Sequence, residues 1–73
     1  MDEAVSQFAA NVAEARKRAR LTQDEIYRLS DVHPTEVSRI ENGDRDVRVS
    51  TVFRLAKALG VTPGQLLDGL PAA

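Results

Sequence analysis

No cysteine occurs in the 73 residues, which excludes a disulfide framework and a thiolate zinc site. The one histidine, His33, cannot furnish the three or four ligands of a zinc centre. It sits before Pro34, a place for a helix cap or a DNA contact rather than a catalytic base. The four glycines fall near helix ends or inside the last helical stretch, and none of them makes a phosphate-loop spacing. No apolar run approaches the ~18 residues of a membrane span. Asp2 and Glu3 stand where a signal peptide would be basic, so a cytoplasmic protein is expected. A chain this short buries only about 60% of its unfolded surface, enough for one small core and too little for a deep catalytic cleft. These absences predict no enzyme activity, no cofactor and no metal.

An excess of positive charge is missing too. Ten basic residues meet eleven acidic ones and the pI is near 5.7, whereas a nucleic-acid binder commonly has a domain pI above ~9. The charges are unevenly placed, however. Arg16, Lys17, Arg18 and Arg20 crowd into five positions, Arg45 and Arg48 lie together, and Asp2, Glu3 and Asp68 sit at the ends. Non-specific attraction to DNA, which comes from phosphate neutralisation, should still be weak.

Every stretch that is present reads as helix, with no alternating strand pattern. The spacing predicts five helices over about 3–19, 23–30, 34–42, 51–59 and 63–68, in one domain spanning 1–73 with a core over about 8–70. Phe8, Val12, Ala15 and Ala19 step by four, three and four as the core stripe of the first. Leu21 carries the apolar pattern into the second, where Thr22 and Glu25 make a capping box and Ile26 and Leu29 an apolar pair. Ser50 is the expected cap of the fourth, with Val52, Leu55, Ala56 and Leu59 buried and Phe53 on a flank. Thr62, Pro63 and Gln65 start the fifth, Gly69 and Pro71 stop it, and Ala72 and Ala73 should fray.

The chain is organised around Thr22 to Gly43, two short helices joined by a tight turn at Ser30-Asp31. His33 caps the second of them, Pro34 takes its first position and Gly43 follows its end. At about 100° per residue, Pro34, Thr35, Ser38, Arg39 and Asn42 share one side. Val37, Ile40 and Glu41 fall roughly opposite, and Glu36 lies on a flank. The outward stripe holds small groups, hydroxyls, an amide and one guanidinium, with no carboxylate, as approach to phosphates and base edges requires. The plain alternative is a solvated face of a small bundle.

With Leu21-Thr22-Gln23, Glu25-Ile26, Val32, Val37-Ser38, Ile40-Glu41 and Asn42-Gly43, this stretch resembles the helix-turn-helix of the phage-repressor family (Cro type, also called XRE). Leu55-Ala56 and Ala58-Leu59-Gly60-Val61 resemble that family's fourth helix and the turn after it, so the likeness runs over roughly residues 8 to 70. His33 to Val49 also resembles the standalone controller proteins of restriction–modification systems. Two residues depart from the pattern: Tyr27 stands where the family usually has Ala, and Asp31 where it usually has Gly. Tyr27 must either tilt the two helices apart or lie along the groove with its hydroxyl in water.

The resemblance implies an all-α, compact five-helix bundle like the lambda-repressor DNA-binding domain, with helices two and three as the motif. It implies a sequence-specific regulator of transcription, a repressor that binds double-stranded DNA. It also implies that Arg16 and Glu41 pair, partly buried, and orient the motif. On this reading His33, Pro34, Thr35, Ser38 and Arg39 face base edges in the major groove. Thr22, Gln23 and the free amides at the start of the second helix hold one phosphate. Asn42, Arg45 and Arg48 hold others on the far side. Weak net attraction requires two motifs acting together, so a homodimer on an inverted repeat is expected, paired through Val61, Leu66, Leu67 and Leu70, with Leu70 the most exposed. The alternative is a protein-interaction module or antitoxin- or controller-type partner on the same fold, which the acidic pI would suit.

Overall fold

The computed structural model describes residues 2–71, so the expected fraying of Ala72 and Ala73 falls outside it. Five helices follow in order: α1 (Glu3–Ala19), α2 (Gln23–Ser30), α3 (Pro34–Glu41), α4 (Val49–Leu59) and α5 (Pro63–Leu66). No strand occurs among the described residues. They wrap one core of Phe8, Val12, Ile26, Val32, Val37, Ile40, Val52, Leu55, Ala56, Leu59 and Leu66. The body measures 32 × 22 × 21 Å.

Local chemistry sets most of the helix ends. The Asp2 carboxylate accepts the Ala4 amide and opens α1. Thr22 and Glu25 exchange side-chain and backbone bonds of 2.9 and 3.1 Å, and Thr62 and Gln65 repeat the device at 2.7 and 3.1 Å. Backbone bonded to Glu25 in this way holds its carboxyl below the usual carboxylate range. Gly43 has φ +72°, where a side chain would be strained. The Asp44 amide can therefore reach back to the Arg39 carbonyl at 3.0 Å and close α3. Asp31 takes the same left-handed conformation after α2, and Arg20 takes it after α1.

Several expectations are corrected by packing. In α1 the buried line runs Phe8, Ala9, Val12 and on toward Arg16, so Ala19 is exposed. In α2 the inward step after Ile26 is four residues, not three. Ser30 is therefore buried and Leu29 lies in solvent. The Ser30 hydroxyl tolerates this because it donates to the Ile26 carbonyl and accepts the Val32 amide. α4 begins at Val49, one residue after an extended Arg48 that makes no side-chain cap bond. Ser50 therefore lies inside the helix and cannot cap it. α5 stops at Leu66 rather than near 68, and the Asn11 side-chain amide donates to the carbonyls of Leu66 and Asp68 at 2.9 and 2.8 Å. These bonds tie the chain's last turn back onto α1.

Candidate nucleic-acid interface

α3 presents two chemically distinct sides. Val37 and Ile40 are buried, which fixes the helix's rotation about its axis. Thr35, Arg39 and Asn42 are exposed on the other side, with Pro34 and Ser38 half-exposed. His33, just ahead of them, is exposed, and its Nδ1 accepts the Thr35 amide at 3.2 Å. Arg39 enters no ion pair among the described residues. The side facing solvent is thus free of carboxylates, and its one guanidinium is available to a ligand.

Glu41 would spoil this surface if it were free, but the fold takes it inward. Arg16 Nε and Nη2 donate to its two oxygens at 2.6 and 2.9 Å, a bidentate pair. The side chains are 20% and 9% exposed. Arg16 Nη1 also donates to the Leu21 carbonyl at 3.1 Å, so one guanidinium joins α1, the hinge before α2 and the end of α3. The bond to Glu41 raises the Arg16 pKa further, against a smaller opposing effect of burial, and the cation is permanent.

The expected phosphate ligands are differently placed. The capping box uses the Thr22 and Glu25 amides and leaves the Gln23 and Asp24 amides as the free donors at the start of α2. The Thr22 hydroxyl is an acceptor here and has only its own proton to offer. The Gln23 side-chain amide approaches Glu41 at 3.5 Å, a long contact. Asn42 and Arg48 are exposed. Arg45 lies 3.2 Å from Glu36, a solvent-exposed pair worth under about 1 kcal/mol. The groove beside them is lined by a further cation, Arg54, together with Asp31, Glu36 and Asp46. Its three-residue step from Thr51 along α4 was the available signal.

Of the residues expected at a dimer surface, Leu66 is 1% exposed and belongs to the core. Val61 and Leu70 are half-buried against that core, so Leu70 is not the outlying residue. Leu67 is, at 45%. The short α5 turns Leu66 inward, which leaves its neighbour facing out. Three apolar groups are more exposed than Leu67: Leu29 on α2, and Val49 and Phe53 on α4, the last two 72% and 58% exposed and one turn apart on one face. Phe53 lines a shallow depression with Val61 and Pro63.

Tyr27 is 40% exposed and lies beside the start of α3. Its ring meets that of His33 with centroids 5.5 Å apart and planes at 53°. No cluster of His, Asp or Glu among the described residues is arranged to hold a metal ion.

Residues 12–66 match the helix-turn-helix family HTH_3. The chain is 36% identical over 62 residues to control protein C.BamHI of Bacillus amyloliquefaciens, covering 84% of this chain and 76% of that one. It is 36% identical over 60 residues to control protein C.SmaI of Serratia marcescens, covering 82% and 71%. Among solved structures it resembles the restriction–modification controller protein C.AhdI of Aeromonas hydrophila, at TM-score 0.82 and 29% identity, over 85% of this chain and 94% of that one.

Proposed function

The chain belongs to the helix-turn-helix family HTH_3, DNA-binding regulators of transcription of the XRE type, and from that premise we propose that it is a repressor that binds an inverted-repeat operator as a homodimer. One observation carries the reading: the outward side of α3 has no acid, its Arg39 is unpaired, and the helix's inner carboxylate is neutralised by Arg16. The likeness to named control proteins favours a controller-type regulator.

His33, Pro34, Thr35, Ser38 and Arg39 then meet base edges, with the start of α3 leading into the major groove. Arg39 is the bidentate ligand of a guanine, and the Thr35 methyl packs on a thymine methyl. Thr22, Gln23 and the first amides of α2 hold a phosphate on one side. Asn42, Arg45, Arg48 and Arg54 serve the other, where the uncapped start of α4 adds free amides. Glu36 offsets part of the charge of Arg45, and the balance of acids and bases keeps non-specific binding weak. Two copies are therefore needed, and their recognition helices must enter successive major grooves about 34–36 Å apart. The pairing surface is the apolar face of Val49 and Phe53 with Val61, extended by Leu67 and Leu70, and Leu66 supports it from the core. This is a binding protein of the cytoplasm rather than an enzyme.

The test separates base reading from phosphate holding. Arg39→Ala should cost about 1–3 kcal/mol on the operator and relax the preference at one base pair per half-site. Arg48→Ala should weaken all sequences alike and lower the salt slope by about one. Fluorescence anisotropy on single-substitution duplexes at two salt concentrations measures both. An unchanged base preference in Arg39→Ala would reject its assigned role.

A further inference from the structure

We propose that Tyr27 is a specificity-positioning residue: its ring holds His33 so that the imidazole Nε2–H donates to an acceptor atom on a base edge. The assignment rests on the reading of α3 as a recognition helix. It begins from the cap. His33 Nδ1 accepts the Thr35 amide, so the neutral ring carries its proton on Nε2. Nδ1 and Nε2 lie on different sides of the ring, so the nitrogen that is not capping is turned away from the first turn of α3. His33 is exposed, and this N–H is offered to a ligand at the leading end of the helix.

A single bond of 3.2 Å would leave an exposed imidazole free to swing. The second constraint is the tilted contact with Tyr27, whose 5.5 Å separation is within the favourable range for aromatic pairs. Tyr27 is itself held by α2, whose neighbouring Ile26 is anchored in the core. The two contacts together turn a mobile side chain into a donor of fixed direction. A fixed donor without an acceptor donates to N7 or O6 of guanine, N7 of adenine or O4 of thymine, and it finds no partner in the amino group of cytosine. Alanine at position 27 would leave the cap intact and the ring direction unset.

The test compares binding profiles on duplexes in which each base pair of the wild-type chain's selected site is changed in turn. Tyr27→Phe keeps the ring and should keep the profile. Tyr27→Ala should reduce discrimination at one base-pair position in each half-site by roughly two- to tenfold, the effect of one neutral hydrogen bond. His33→Asn retains a capping acceptor and should flatten the same position. Affinity for unrelated DNA and salt slope should match the wild type in Tyr27→Ala at a temperature where circular dichroism shows both chains folded. A Tyr27→Ala profile that superimposes on the wild type overturns the assignment. Uniform weakening with a reduced salt slope also overturns it, because His33 would then hold a phosphate. A wild type with no base preference would instead remove the recognition-helix reading, and this assignment with it.

Discussion

Glu41→Ala should destabilise the chain by about 2–3 kcal/mol, whereas Glu41→Ala combined with Arg16→Met should lose clearly less. Removing one member of a buried ion pair leaves the other charge desolvated and unpaired, at about 3–5 kcal/mol in a fully buried site. Arg16 keeps a fifth of its side-chain surface in water, which lowers the expectation. With alanine at 41, its Nε and Nη2 lose both acceptors while Nη1 stays bound to the Leu21 carbonyl, so the guanidinium cannot simply swing out. Methionine removes the stranded charge and keeps the apolar stem. In a domain of this size the single variant should melt about 10–20 °C lower. Equal losses in the single and double variants, read by thermal denaturation, would show that the pair contributes no orientation to α3.

Phe53→Asp should produce a monomer with an intact fold and an operator affinity lower by about 100-fold or more. The side chain is 58% exposed and is not part of the core, so the folded chain should lose little stability. A carboxylate at the centre of an apolar pairing surface would instead be buried against its symmetry mate, at high cost. Loss of pairing removes the gain from a second binding event that is effectively intramolecular, which spans about 10²–10⁴. Affinity for an isolated half-site should not change. Sedimentation and titration of the two duplexes read these effects. A variant that still sediments as a dimer would move the interface off α4.

The motif was legible because its signals are local. A capping box, proline at a first helical position and glycine after a helix end each act within four residues of chain, and Thr22, Pro34 and Gly43 do in the fold what those signals predict. The rotation of α3 was legible too, since Val37 and Ile40 are its only large aliphatic groups. What escaped depends on distant neighbours. Arg20 adopts a left-handed conformation with no glycine to announce it, because the chain must turn there to bring α2 against α4. Ser50 resembles a cap, yet the register of α4 is set by burial of Val52 and Leu55. Asn11 caps the end of α5 from 55 residues away. Four apolar residues near the C-terminus did not reveal which of them faces inward, because a helix of four residues has too few turns to define a face.

The contact between Tyr27 and His33 escaped for a related reason. A large residue at the α2–α3 approach threatens the packing when only sequence is considered, and only the fold shows that its ring meets His33. Arg54 stands between apolar residues of α4, and only the fold brings it into one groove with Arg45 and Arg48.

The central claim, that the acid-free side of α3 reads a DNA sequence, is tested most directly by selecting duplexes from a random pool with the purified chain. The account predicts enrichment of an inverted repeat whose half-site centres lie about 10 base pairs apart, bound at least ~10³-fold more tightly than a scrambled duplex of equal length. A pool that shows no enriched sequence after successive rounds, with equal affinity for every duplex, would contradict it.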